Sequence, residues 1–259
     1  MRTEDVLTKL APWRQRNTRN AWRASTVAGD GSRTASKFSG LPWLAPAEVW
    51  PMCRECRSPM PLFLQLDLSM VPAQAREQFG DGLLQLFYCT SCDGGWEPFS
   101  GVSLVRVVAP SLLAAQPSRA TDHSAFSPKL IVGWTLIEDH PHPPDHDALG
   151  LTYDYDFSVK PMTTRLTCND PAFTADGIRD DELAEKVGVA EPGDKLGGWP
   201  LWIQGAEYPN CPQCRQPMHL LFQLDSNDNL DFMFGDVGTG HITQCALHKD
   251  VVAFGWACS

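Results

Sequence analysis

The stretch CRECRSPMPLFLQLD at residues 53–67 occurs a second time, as CPQCRQPMHLLFQLD at residues 211–225. An offset of 158 aligns the two stretches without a gap, and the similarity extends upstream to residue 37 of the first copy. Thirteen positions within 37–67 are identical in both copies: Lys37, Gly40, Pro42, Pro51, Cys53, Cys56, Arg57, Pro59, Met60, Leu62, Gln65, Leu66 and Asp67. Cysteines, prolines and strand endings that repeat in one order predict an internal duplication.

The similarity continues downstream of both stretches. The tripeptide FGD occurs at residues 79–81 and 234–236, and CTSC at 89–92 corresponds to CALH at 245–248. The offsets there are 155 and 156, so the connecting loops differ slightly in length. Each copy is therefore predicted to contain a Cys-x2-Cys pair, a strand, a turn, a second strand and a second pair of ligands.

Two ligand pairs that β-structure brings together supply the four ligands of a closed tetrahedral zinc site. The sequence predicts two structural zinc sites, formed by Cys53, Cys56, Cys89 and Cys92 and by Cys211, Cys214, Cys245 and His248. Cys258 is an alternative fourth ligand of the second site. The repeat alignment places His248 on the position of Cys92, which favours the histidine.

The neighbouring residues disfavour a catalytic role for these cysteines. Glu55, inside the first Cys-x2-Cys, resembles the acid–base glutamate of zinc deaminases, which bind zinc through three ligands. Cys56 would add a fourth ligand and close the site, and Gln213 occupies the position of Glu55 in the second copy. Tyr88 replaces the proline of the deaminase motif. A thioredoxin-like role is disfavoured because each Cys-x2-Cys leads into a strand rather than a helix N-terminus.

The composition limits the class of partner. The formal net charge is −10, from 31 acidic and 21 basic residues, which opposes binding to the phosphates of nucleic acid and suits a basic partner or simple solubility. No segment has the length and apolar character of a membrane span, and the N-terminal residues lack a signal-peptide core. A cytoplasmic, reducing location is expected, where nine cysteines indicate metal binding more than disulfides.

Hydrophobic periodicity predicts a few short helices and a larger number of strands. Helices are expected at 3–13, with Thr3 as N-cap, and at 72–78 and 178–187. Strands are expected at 61–67, 83–89, 102–108 with Arg106 pointing outward, 129–138, 151–157, 218–225, 230–234, 239–245 and 250–257. We interpret residues 1–259 as a single pseudo-symmetric domain, with repeat one at about 37–108, a connector at 109–190 and repeat two at about 195–258.

Several polar segments are assigned to loops or turns. Residues 24–36 are small and polar and predict a loop. The segment EDHPHPPDHD at 138–147 has metal-binding residue types, but its three prolines favour an exposed polar loop. The paired acids Asp67 and Asp225, and Asp81 and Asp236, are predicted turn or capping residues, and Cys168 is predicted to be buried as a small apolar residue.

The ordered motifs resemble the YwqG-like proteins, a bacterial family of poorly characterised function. The resemblance covers about residues 35–258 and rests on KFSGLP at 37–42, KLGGWP at 195–200, the two QLD strand endings, FGD at 234–236 and WAC at 256–258. It implies a β-rich α+β fold with an internal duplication. Because YwqG-like domains also occur near bacterial toxin genes, it further implies an immunity role.

The sequence is compatible with two functions. The first is a non-enzymatic, zinc-stabilised protein-binding module, most plausibly an immunity protein whose acidic surface occludes a basic, co-encoded toxin. The second is an enzyme of unknown reaction, whose site would lie in the cleft between the two repeats. No nucleic-acid or membrane partner is expected.

Overall fold

The computed structural model describes residues 2–92, 94–110 and 122–259. Its helices are α1 (Thr3–Asn17), α2 (Ala73–Phe79) and α3 (Leu183–Val187), with short 3-10 helices at Pro143–Asp145 and Asp147–Leu149. Its strands are β1 (Arg19–Ala28), β2 (Lys37–Phe38), β3 (Leu62–Asp67), β4 (Leu83–Tyr88), β5 (Ser103–Val108), β6 (Lys129–Asp139), β7 (Leu151–Asp156), β8 (Thr163–Asn169), β9 (Ala172–Ile178), β10 (Lys195–Gly197), β11 (His219–Asp225), β12 (Thr239–Gln244) and β13 (Val252–Ala257). The predicted connector at 109–190 is described only outside residues 111–121.

The chain divides into two compact units. The larger comprises residues 22–136, 193–197 and 207–259 and carries nearly all of a ten-stranded sheet with the order β13-β12-β11-β10-β1-β6-β2-β3-β4-β5. The edge strands β5 and β13 pack against each other, so this sheet nearly closes on itself. Both predicted repeats contribute their strands to it, and the prediction of a β-rich fold is confirmed.

The two halves of this sheet use the same register at the predicted offset. Lys37 pairs with Gln65 between β2 and β3, and Lys195 pairs with Gln223 between β10 and β11. The β3–β4 and β11–β12 pairs each contain one irregularity, at Leu62/Leu64 and at Leu220/Phe222. The 158-residue offset therefore relates the strand pairings of the two halves as well as their amino-acid sequences.

Buried residues from both repeats share one apolar core in the larger unit. Phe63 lies against Phe232 at a ring-centroid distance of 4.9 Å, and Phe38 lies against Phe222 at 6.0 Å, both edge to face. Since an aromatic residue buries 150–250 Å² of surface, these rings supply much of the burial that holds the two halves of the sheet together.

The smaller unit, residues 2–21, 137–192 and 198–206, contains a three-stranded sheet of order β7-β8-β9 with α1 and α3. Its core joins Val6, Leu10 and Trp13 of α1 to residues of the sheet and α3. Cys168 belongs to this core at 2% exposure, as predicted. In the described part of the chain, no helix is long and apolar enough for a membrane crossing.

A row of polar side chains crosses four strands of the sheet. Lys37, Gln65, Gln85 and Arg106 are successive cross-strand partners on β2, β3, β4 and β5. Gln85 donates to Gln65 at 2.9 Å and accepts from Arg106 at 2.9 Å. The prediction that Arg106 points outward is wrong, because its guanidinium is half-buried and forms an ion pair with Glu48 at 2.6 Å.

Lys37 ends this row and is fully buried. Its ammonium donates to Asp30 Oδ1 at 2.7 Å and to the carbonyls of Asp30, Ser32 and Leu41. Burial lowers the pKa of Lys37, and the Asp30 carboxylate acts in the opposite direction. Asp30 also accepts the Leu41 N–H and lies where a side chain on Gly40, at φ 82°, would clash with it. A glycine is required there.

The local predictions fail where tertiary contacts override composition. The prediction of Thr3 as N-cap is wrong, because Thr3 is the first residue of α1 and Arg2 precedes it without a side-chain cap; the helix continues to Asn17. The predicted loop 24–36 begins as the end of β1, which the neighbouring strands hold in the sheet despite its polar residues. Strand β9 occupies the start of the predicted helix 178–187. Residues 230–233 are bent and irregular rather than a strand, and Phe234 forms only an isolated bridge with Gly238.

The segment 138–147 is not an exposed loop. Asp139 and His146 are fully buried and Asp145 nearly so. Asp139 accepts the N–H groups of Glu191 and Trp199 at 2.7 Å each, and Asp145 accepts the Trp202 indole N–H at 2.9 Å. These carboxylates satisfy backbone and indole donors inside the smaller unit, which the sequence spacing alone did not indicate.

The Lys37–Asp30 contact gives a stability prediction. Replacing Asp30→Ala leaves a buried ammonium without its carboxylate, so we expect the free energy of unfolding to fall by about 3 kcal/mol. The exposed pair Arg76–Asp81 is the matched control, and Asp81→Ala should cost less than about 1 kcal/mol. Urea unfolding at neutral pH measures both. Similar costs for the two variants would contradict the assigned role of Asp30.

Candidate metal centres

The first centre begins in a tight turn between Pro51 and Pro59. The Cys53 N–H donates to the Ser58 carbonyl at 2.8 Å, and the Arg57 N–H donates back to the Cys53 carbonyl at 3.1 Å. Arg57 adopts φ 64°, which reverses the chain within a few residues. Both thiols of the Cys-x2-Cys are thereby presented on one side of the turn that leads into β3.

The second ligand pair of this centre follows β4. The Cys89 N–H donates to the Val102 carbonyl at 2.9 Å, which fixes the chain as it leaves the sheet. Because β3 and β4 are antiparallel neighbours, their outer ends bring Cys89 and Cys92 to Cys53 and Cys56. The sulfur atoms of Cys53 and Cys92 lie 3.7 Å apart, and those of Cys56 and Cys89 lie 3.5 Å apart.

The second centre repeats this construction in the other half of the sheet. Cys211 N–H donates to the Gln216 carbonyl at 2.9 Å, Arg215 has φ 62°, and Cys245 N–H donates to the Val251 carbonyl at 3.0 Å. The sulfurs of Cys214 and Cys245 are 3.6 Å apart. His248 Nδ1 lies 3.6 Å from the sulfur of Cys211 and 3.6 Å from that of Cys245.

Each centre offers four ligand atoms, all within 4.8 Å of one another. The structure thus brings together all eight predicted residues: Cys53, Cys56, Cys89 and Cys92, and Cys211, Cys214, Cys245 and His248. Cys258 is not a member of either group. Both groups can hold a metal ion, since thiolate and imidazole are ligands of soft and borderline divalent metals.

The thiols within each centre compete for protons. Hydrogen bonding by Ser58, together with smaller contributions from Cys92 and Cys89, lowers the pKa of Cys56 to about 6. The pKa of Cys92 is raised, chiefly by its contact with Cys56 and then by burial. At Cys245, burial raises the pKa, but hydrogen bonds from the backbone of His248 and Leu247 outweigh it and lower the value to about 6. A bound cation would relieve this competition by stabilising all the thiolates together.

Burial differs among the ligands. Cys53, Cys89, Cys211 and Cys245 are buried, whereas Cys56 is exposed and Cys92, Cys214 and His248 are half-buried. Each centre therefore lies at the surface end of a strand pair, with one side against the core. Glu55, the residue that resembled a deaminase acid, is exposed and lies within the turn.

The predicted turn acids divide into two groups. Asp67 accepts the N–H and hydroxyl of Ser69 at 3.0 and 2.6 Å, and Asp225 accepts the Ser226 N–H at 2.9 Å and the Gly193 N–H at 2.8 Å. Asp81 instead forms the exposed ion pair with Arg76. The predicted turn or capping role is confirmed for Asp67 and Asp225, which accept these hydrogen bonds, and for Asp236, which lies in the turn at 235–237.

Over 34 residues the chain is 50% identical to the "Uncharacterized protein YpfL" of Salmonella typhimurium, a match that covers 13% of this chain and 8% of that protein. The chain thus matches only a small part of that relative. The family described as "Domain of unknown function (DUF1963)" matches residues 36–258, which include all eight ligand residues and both halves of the large sheet. The chain belongs to this DUF1963 family.

Proposed function

We propose that each centre binds one structural zinc ion. The observation that supports this is the spacing of the sulfurs, 3.5–3.7 Å across each pair. In a tetrahedron with Zn–S bonds of 2.3 Å, neighbouring sulfurs lie about 3.8 Å apart. Four protein ligands leave no open coordination position, which is the arrangement of structural rather than hydrolytic zinc.

We further propose that the chain is an internal duplication, as its resemblance to the YwqG-like proteins implies, and that each repeat carries one of the two centres. The matched registers at Lys37 and Lys195 support this, as do the matched turns at Arg57 and Arg215. Leu41 N–H donates to Asp30, and its counterpart Trp199 N–H donates to Asp139. Equivalent residues thus make equivalent contacts well away from the cysteines.

The function that this geometry supports best is a non-enzymatic, zinc-stabilised protein-binding module in the cytoplasm. Zinc would fix the turns at the strand ends, so that less conformational entropy is lost when a partner binds them. A net charge of −10 favours a basic partner and speeds its capture. From the toxin-gene association of the YwqG-like proteins, we propose that the partner is a co-encoded bacterial toxin, which the chain neutralises by direct occlusion.

The second centre gives a prediction about its fourth ligand. His248→Ala should weaken that centre by more than the roughly 100-fold that loss of an outer-sphere partner can cost. Elemental analysis should find about two zinc ions per chain in the unmodified protein and one in the variant after mild chelator treatment. Cys258→Ala is the matched control and should retain both ions. The reverse pattern would make Cys258 the ligand.

Removal of zinc should loosen the turns and leave the fold in place. Zinc binding supplies as much as 10–16 kcal/mol in small peptides, but here a large apolar core is independent of the metal. If about 3 kcal/mol is lost, the melting temperature should fall by about 6–12 °C. Circular dichroism with and without a strong chelator measures this. Complete unfolding at room temperature, or an unchanged melting temperature, would contradict a structural role beside an independent core.

The occlusion proposal is tested by co-expression with the neighbouring toxin-like gene. The two proteins should co-purify as a complex whose components have unmodified masses, and the association rate should fall as salt screens the charges. Protection without a stable complex, or with a covalently altered toxin, would favour an enzyme acting from the cleft between the repeats.

A further inference from the structure

Three large apolar side chains are exposed close to the point where β13 meets the loop that follows the first metal centre. Trp96 is 56% exposed, Phe99 53% and Val237 61%. Scattered single apolar residues are normal on a protein surface, but a group of them on neighbouring segments indicates an interaction site. Trp96 and Val237 lie on segments that both pack on β13, and Phe99 follows Trp96 by three residues. We call these three residues, with the exposed acids Glu97 and Asp236, the seam surface.

Strand β13 joins the two segments that carry these residues. The Trp256 N–H donates to the Trp96 carbonyl at 3.1 Å, and the two indole rings meet edge to face at 6.4 Å. On its other side, the Trp256 ring lies 6.1 Å from the ring of Phe234, which starts the turn containing Val237. A Cβ atom on Gly235 would stand 2.9 Å from the Trp256 ring, so this turn packs closely on β13.

The seam surface rests on a fixed base. The Trp256 indole N–H donates to the Tyr88 hydroxyl at 2.9 Å, and that hydroxyl donates to the Gly94 carbonyl at 2.9 Å. The Gly238 N–H donates to the Phe234 carbonyl at 2.7 Å and closes the second turn. A partner would therefore meet preformed turns, which lowers the entropy lost on binding.

Two of the three apolar residues have a strained backbone conformation. Phe99 has φ 63° and Val237 has φ 52°, the left-handed region that bulky and β-branched residues rarely occupy. A residue held in this region is strained relative to a relaxed conformation. Glycine would relieve the strain at either position, so folding stability does not explain the large side chains.

The charge around the seam surface restricts its occupant. The segments 94–101, 231–238 and 255–259 contain the acids Glu97, Asp231 and Asp236 and no lysine or arginine. At Gly101, Arg54 packs on the first of these segments together with the acid Glu55, so the surroundings keep an excess of acids. A second copy of this chain would bring like charges together, and an anionic lipid surface or a nucleic acid would also be repelled. A protein segment with apolar side chains between basic residues fits both features.

We propose that the seam surface docks a protein segment that carries apolar anchors flanked by lysine or arginine. Trp96 supplies the kind of large aromatic contact that dominates binding energy in protein interfaces, and the acids select for a basic rim on the partner. The proposal rests on the proposed function as a binding module and assigns that function a face and a partner chemistry.

The test is a selection of displayed random peptides against the purified full-length chain. Enriched peptides should contain tryptophan, phenylalanine or leucine next to lysine or arginine. A synthetic peptide of the enriched sequence should bind Phe99→Gly, Val237→Gly and Trp96→Ala roughly tenfold more weakly, or worse, than the unmodified chain. The glycine variants should keep or raise the melting temperature, because they relieve backbone strain, so weaker binding could not be attributed to misfolding.

Met70→Ala is the matched control, since Met70 is exposed at 72% but lies outside the seam surface. Its peptide affinity should be unchanged. Failure to enrich basic apolar peptides, equal binding by the seam variants, or seam-dependent self-association in sedimentation would each overturn the proposal. If the seam variants bind the peptide more weakly but the co-encoded toxin forms no complex with the chain, the proposal that the toxin is the partner is wrong. The proposed docking surface is still supported in that case.

Discussion

The pairing of β3 with β4, and of β11 with β12, is the constraint on which both centres depend. Each Cys-x2-Cys is separated from its second ligand pair by more than 30 residues, and only an antiparallel pair of defined register returns the chain to the same end. A slip of one residue would turn every side chain of the strand to the opposite face. The register is held by buried leucines and phenylalanines on these strands and by the glutamines that pair with the buried lysines.

The polar residues inside the sheet add specificity that apolar burial alone would not give. Lys37 and Gln65 face each other in the first half, and Lys195 and Gln223 in the second, and all four are fully buried. Buried polar groups must find partners, so they tolerate fewer alternative pairings than leucines do. Their presence at equivalent places explains why the short strands β2 and β10 are positioned so closely alike.

The strands around the cysteines, and the two sets of cysteine and histidine residues that the structure brings together, could be predicted from the sequence. The repeated stretch shows both the hydrophobic pattern of the strands and the spacing of the cysteines. The sequence was less informative where contacts distant in sequence decide the conformation. Residues 24–28 look like a loop until the strands on either side of β1 are known. The acids of 138–147 look exposed until Glu191, Trp199 and Trp202 are seen to donate to them. Local composition does not identify such distant partners. For the same reason, the sequence does not indicate that Trp96, Phe99 and Val237 form a group.

The ligands of each centre lie wholly within one half of the chain, and this has a consequence for synthesis. Cys92 completes the first set when the residues of the second set, which begins at Cys211, have not yet been translated. Chains emerge from the ribosome at roughly 5–20 residues per second, so the first hairpin has several seconds in which to form before the second set is made. A nascent chain could then present four ordered thiolates, rather than seven unordered ones, to the cell's oxidants and to competing metals. Separate sets of residues in the two halves of the chain thus shorten the time for which any one set is incomplete.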